Sequence, residues 1–113
     1  MKKRILATAL VACVFTAQAQ VKTGPEIETL YPVGFHHDQG DGLYIEFQPG
    51  AMPGCYGDKG GRLSKSNPNY KEYYSLLLTM MTTKSFKGQI RYEQTNHTGW
   101  WSCSIEGIFV YPK

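Results

Sequence analysis

The stretch Ser66-Asn67-Pro68-Asn69-Tyr70-Lys71-Glu72-Tyr73-Tyr74-Ser75-Leu76-Leu77-Leu78-Thr79-Met80-Met81-Thr82-Thr83 decides the fold, because it is the only helical pattern in a chain otherwise built from strand and turn signals. Ser66 or Asn67 is suited to cap the helix, and Pro68 fits its first turn because a missing N–H costs nothing there. Tyr70 to Thr83 then runs as helix. At 100° per residue, Tyr70, Tyr74, Leu78 and Met81 fall on one side of Leu77, and Tyr73, Leu76 and Met80 on the other. The apolar arc spans roughly 200°, where one buried stripe needs little over 100°. Two readings follow. Either the helix sinks deeply into the end of a barrel with its tyrosine hydroxyls reaching water, or the flank Tyr73, Leu76 and Met80 packs on a neighbouring subunit.

Upstream of the helix, Leu43-Tyr44-Ile45-Glu46-Phe47-Gln48 alternates cleanly, with Leu43, Ile45 and Phe47 inward and Tyr44, Glu46 and Gln48 outward. Glu26 to Tyr31 approximates the same period and ends at Pro32. Between the two, Gly34-Phe35-His36-His37-Asp38-Gln39-Gly40-Asp41-Gly42 reads as a loop rich in residues that tolerate positive φ. Gly54 to Leu63 is a glycine-rich third strand, short or bulged. Downstream, Phe86 to Tyr92 and Trp101 to Val110 are strands separated by a loop from Glu93 to Gly99. The order strand, strand, strand, helix, strand, strand predicts a mainly β domain, a small five-stranded OB-like Greek-key barrel with its one helix between the third and fourth strands.

The chain has 113 residues, enough for one domain, and a formal net charge of +3. That charge is misleading. Lys2, Lys3 and Arg4 precede the apolar run Ile5 to Phe15 and an A-x-A site ending at Ala19, which together read as a secretory signal peptide over residues 1–19. Removing it leaves nine Lys/Arg against nine Asp/Glu in the domain from residue 20 to 113. A neutral mature chain excludes a broadly cationic nucleic-acid binder. No later segment is apolar for long enough to span a membrane. The predicted location is secreted or periplasmic, and the style of the leader is bacterial, which sets aside the formal glycosylation sequon Asn96-His97-Thr98. A second processing route stays open: Leu10-Val11-Ala12-Cys13 resembles a lipobox, which would make Cys13 an acylated N-terminus.

Once the leader is gone, Cys55 and Cys103 are the two remaining cysteines, and two thiols in a small exported domain predict one disulfide. Closing a loop of nearly fifty residues is worth roughly 4 kcal/mol in the chain-entropy model. In an OB-fold the third and fifth strands run parallel side by side, and the two cysteines fall near the starts of those strands.

Two loops carry the residues suited to a ligand. His36, His37 and Asp38 lie between the first and second strands; Asn96, His97, Trp100 and Trp101 lie between the fourth and fifth. An exposed tryptophan stacks on the apolar face of a sugar while Asn, Asp and His hydrogen-bond its hydroxyls, and Asp41 adds a further partner. Adjacent tryptophans on a strand cannot both point inward, so one faces solvent or a partner. Adjacent His36, His37 and Asp38 are poorly spaced for one ion, so neither a metal nor a cofactor is expected. A catalytic alternative pairs His36 or His37 with His97 as acid and base of a small secreted nuclease, with Lys59, Arg62 or Lys65 on the phosphate. The neutral mature charge and the lack of a nucleophile motif argue for a non-catalytic binder instead.

The segment from Tyr70 to Met81, followed by Gly88-Gln89-Ile90-Arg91-Tyr92 and Cys103-Ser104-Ile105-Glu106-Gly107-Ile108, is similar to short exported bacterial proteins with a tyrosine-rich helix and a Cys-bearing last strand. These in turn resemble the binding subunits of subtilase-cytotoxin and pertussis-type toxins. The resemblance covers roughly Cys55 to Val110 and implies an OB-fold, assembly into five-membered rings and glycan binding. No counterpart of those subunits' sugar-contacting serine stands near the first strand, so no binding residue is carried over. The family includes chains without a toxic partner, so a toxin role does not follow. The expectation is a glycan-binding protein, possible as a homo-oligomer; the alternative is an assembly subunit that docks a protein partner through its helix.

Overall fold

The computed structural model describes residues 21–37 and 40–113. The expected leader over residues 1–19, Cys13 and Asp38 lie outside the described residues. The chain is mainly β with one helix. In order, the elements are β1 (Val21–Thr23), β2 (Gly34–His37), β3 (Leu43–Glu46), β4 (Gly60–Leu63), α1 (Tyr70–Thr83), β5 (Phe86–Gln94) and β6 (Cys103–Pro112), with a 3-10 turn at Gly99–Trp101 before β6.

The six strands form one mixed sheet in the order β1-β5-β6-β4-β3-β2. This differs from the closed five-stranded barrel expected from the element order: there is one more strand, and β1 and β2 are the edges of the sheet. The expected first strand, Glu26 to Tyr31, is the difference. Its backbone is tied to β5 only at intervals, through a bridge between Ile27 and Gly88 and through the N–H of Leu30 donating to the carbonyl of Phe86. The regular ladders form on either side of it, at Val21–Thr23 and, where the sequence suggested a loop, at Gly34–His37.

The parallel pairing is as the sequence implied: β4 runs parallel to β6 with Arg62 opposite Ser104. Cys55 and Cys103 are bonded, with their Cα atoms 5.6 Å apart. β5 and β6 form the longest ladder, from Phe86 opposite Pro112 to Gln94 opposite Cys103. Its register shifts where Arg91 faces Gly107 and Tyr92 faces Ile105, leaving Glu106 as the extra residue of a bulge. The bulge reverses the phase of β6. Cys103 and Ile105 are buried before it, and Ile108 and Val110 pack on the core after it. A strict period of two fails here because one inserted residue turns every later side chain over.

The core gathers Leu43, Ile45 and Phe47 from β3 and its extension, Leu63, Ile90, Tyr92, Ile105 and the helix residues Leu77 and Met80. Helix α1 spans the range read from the sequence, but its cap falls later than the expected Ser66 or Asn67. Asn69 occupies the N-cap position without a side-chain cap, and Asn67 accepts the Asn69 N–H through Oδ1 at 2.8 Å. Lys84 closes the helix in the left-handed region, donating its N–H to the Met80 carbonyl at 2.9 Å.

The flank of α1 expected to contact a partner turns instead toward the chain's own core. Met80 is wholly buried in the chain's own core, and Tyr73 and Leu76 are half-buried against it. The side that packs deepest is thus the one assigned to a partner. Tyr70 and Tyr74 on the other side stack on one another, and Tyr74 meets the edge of Phe35, leaving Leu78 as the exposed apolar residue of the helix. Among the described residues, no helix is long and apolar enough to cross a membrane.

Because the disulfide closes a sequence separation of 48 residues, the Cys55→Ser/Cys103→Ser double variant is expected to lose about 4 kcal/mol of unfolding free energy. A urea titration of oxidised wild type against the variant measures this. Coincident midpoints would show that the unfolded chain gains nothing from the missing link.

Candidate functional site

The outer face of the sheet carries a row of side chains fixed by register. His36 pairs with Tyr44, Tyr44 with Arg62, and Arg62 with Ser104, so one residue from each of β2, β3, β4 and β6 lines up across neighbouring strands. Strand alternation predicts Tyr44 outward, and it does point away from Leu43 and Ile45. It is nevertheless only 2% exposed. The cause is the 3-10 turn Gly99–Trp101, which folds across this face.

Trp100 stacks on Tyr44 with ring centroids 5.2 Å apart and planes 15° from parallel, and its ring centroid lies 4.9 Å from that of His36. Tyr56 meets Tyr44 edge-on from the other side at 6.3 Å. Trp101 turns the opposite way and receives the Arg62 guanidinium over its ring at 5.0 Å. Both tryptophans lie on the 3-10 turn before the last strand, which starts at Cys103 and not at the expected Trp101, and neither is buried.

Polar groups stand beside these rings. Glu46 Oε1 lies 3.0 Å from His36 Nε2, and Lys59 Nζ donates to Glu46 Oε2 at 2.9 Å. The Lys59 ammonium and then the His36 ring hold the Glu46 carboxyl below the usual carboxylate range. Partly exposed pairs of this kind add little to stability. Trp100 stays 36% exposed and Tyr56 48% exposed, so both aromatic rings packed on Tyr44 keep open surface.

His36 and His37 belong to strand β2, not to a loop, since Gly34 to His37 pair with Glu46 to Leu43. His36 joins the cluster; His37 is exposed at the strand end. Asn96 and His97 are exposed in the segment leading to the 3-10 turn, where the His97 N–H donates to Thr95 Oγ1. Sequence reasoning missed Tyr44, Tyr56 and Glu46, and brought in Lys59 only for the nuclease alternative. The alternation had marked Tyr44 and Glu46 as outward, but nothing in it said which turn would cover them. Asp41 plays a structural part. Ser64 Oγ and the Lys65 N–H donate to its carboxylate at 2.6 and 3.0 Å, chiefly the former keeping it below its ordinary range. This pins the chain before β3 to the end of β4.

Comparison with family models, curated proteins and solved structures finds no match to this chain.

The hydroxyl of Tyr44 is buried with no hydrogen-bond partner among the described residues. Desolvation, then the charge of Glu46 and the neighbouring Tyr56, push it up to about 12. Its room comes from Gly60, where an added Cβ would lie 2.3 Å from the Tyr44 hydroxyl and 2.5 Å from the Ile45 carbonyl oxygen. Tyr44→Phe is therefore expected to keep the fold and raise stability by about 1 kcal/mol, because it deletes an unsatisfied buried group. The unfolded tyrosine releases its proton near pH 10 and the folded one near 12. The folded state thus holds more protons in that window, stability falls as pH rises through it, and Tyr44→Phe should flatten the decline. Melting curves from pH 7 to 12 test both points, and a destabilised variant would mean that the hydroxyl has a partner. Gly60→Ala is expected to cost about 1–3 kcal/mol, since the clash includes backbone; an unchanged chemical midpoint would contradict that packing.

Proposed function

We propose that this chain is an exported, non-catalytic binding protein that takes a glycan on the outer face of its sheet, around Trp100. The observation that carries this reading is the Trp100 ring, supported from beneath by Tyr44 yet 36% exposed, with the Glu46–His36–Lys59 group beside it. A sugar offers weakly apolar C–H faces and a rim of hydroxyls. An indole already stacked on another ring presents a rigid platform to the former, and so loses little freedom on binding. A carboxylate that accepts, an ammonium that donates and an imidazole that does either match the latter.

The OB-like barrel is part of the same reading. Its support is that both sheet edges, β1 and β2, come from the single segment Val21–His37. Between them, Gly24, Ile27 and Leu30 donate N–H groups to β5 and Val33 donates to Glu46, so one length of chain touches both ends of the sheet. Export rests on the leader and on the disulfide. Binding is favoured over the nuclease alternative because Lys59, one of the three cations with Arg62 and Lys65 that would meet a phosphate, already has its charge paired with Glu46. The assembly-subunit alternative has less helix surface to use, given the burial of Met80.

A glycan array probed with the mature protein tests the proposal. Saturable binding to a subset of saccharides is expected, weakened at least about tenfold in both Trp100→Ala and Tyr56→Ala. Tyr56 is exposed, so its variant keeps the fold and separates lost contact from lost stability. An array on which wild-type protein binds nothing, or binding indifferent to both substitutions, would remove the reading.

A further inference from the structure

Past Trp101, the outer face opens into a cleft of about 240 Å³ between β4, β6 and the approach to α1, lined by Arg62, Ser64, Asn67, Ser104 and Glu106 with neighbouring side chains. No large apolar side chain contributes to it. Three of its groups are adjacent by construction. Arg62 and Ser104 are register partners, and Glu106 follows two residues after Ser104 as the extra residue of the β6 bulge. Bulges redirect a side chain at sites where a strand must aim a group, and this one presents a carboxylate to the cleft.

These three groups still have hydrogen-bonding capacity to spend. Arg62 makes no ion pair among the described residues, and its Nε is buried without a partner. Ser64, by contrast, is already committed to Asp41 and Ser66, and Asn67 to the Ile105 carbonyl and the Asn69 N–H. The free set is one donor fork, one hydroxyl and one acceptor. Its charges cancel, which disfavours a bare oxyanion. Neighbouring hydroxyls suit it, because each accepts from a guanidinium and donates to a carboxylate at once.

The cleft lies on the same row as the tryptophan platform. Tyr44 and Ser104 are two strand spacings apart, about 10 Å, which is within the span of a short oligosaccharide. Building on the glycan reading above, we propose that this cleft is a second sugar subsite. The ligand is then an oligosaccharide, one unit of which stacks on Trp100 while the next offers adjacent hydroxyls to Arg62, Ser104 and Glu106. The Trp101 ring packs on the Arg62 guanidinium, one of the residues that line the cleft.

An array displaying mono- to hexasaccharides, with hits titrated against tryptophan fluorescence, tests this on wild type, Ser104→Ala, Glu106→Ala and Trp100→Ala. Wild type should bind hits of two or more units at least tenfold tighter than their single terminal sugar. Ser104→Ala and Glu106→Ala should erase that gain and leave the terminal sugar's affinity unchanged, whereas Trp100→Ala should weaken both. Glu106 is exposed, so its variant keeps the fold. Oligosaccharide affinity that depends on Trp100 but ignores Ser104 and Glu106 would overturn the second subsite while sparing the first. Tighter binding of sulfated or phosphorylated saccharides by Glu106→Ala would also overturn it, since the cleft would then be an oxyanion site. Silence of the wild-type array would sink the parent reading and this one with it.

Discussion

The structure depends on one seam. Strands β2, β3 and β4, from residues 34–63, form one half of the sheet, and β6, β5 and β1 form the other; among the described residues the strands of the two halves pair with each other only where β4 runs parallel to β6. That ladder has a single registered pair, Arg62 with Ser104. Such a short parallel contact contributes few hydrogen bonds, so other forces must hold the halves together. The Cys55–Cys103 bond crosses the same boundary, and the core residues Leu63, Ile105 and Met52 pack beneath it. The covalent link therefore lies where the noncovalent ladder is thinnest.

The candidate site straddles that seam. His36, Tyr44, Glu46, Lys59 and Arg62 come from the first half; Trp100, Trp101, Ser104 and Glu106 come from the second. Each tryptophan is engaged across the boundary, Trp100 with Tyr44 and His36, Trp101 with Arg62. The cysteines lie close to the aromatic residues in sequence, Cys55 directly before Tyr56 and Cys103 two residues after Trp101. Fixing the two sulfurs thus limits the movement of both loops against the outer face. A binding surface assembled from two halves is well formed only while the halves hold their register.

Much of the fold was legible locally. The span of α1 follows from its apolar spacing, and the alternation of Leu43, Ile45 and Phe47 marks their burial because a strand must turn alternate side chains to the core. The disulfide follows from cysteine count. What local pattern could not give was the fate of Glu26 to Tyr31, which alternates like a strand but touches β5 only at intervals. Nor could it give β2: Gly34 to His37 resembles a loop by composition, and pairing with β3 overrides that preference. The helix misled in a similar way. Its wide apolar arc invited a partner, and the chain's own core absorbed Met80 along with Leu77.

The sequence by itself determined the one helix, the strand that feeds the core and the bond between Cys55 and Cys103, because each rests on periodicity, composition or pairwise chemistry within a short window. Only the tertiary structure decided which outward residues are open. Tyr44 is an outward residue that ends up covered, and Trp100 covers it, since a turn more than fifty residues later in the chain folds across the face. Glu106 reaches the cleft through a bulge that depends on how two strands share their register. Those are properties of one segment meeting another, and no window of either segment alone contains them.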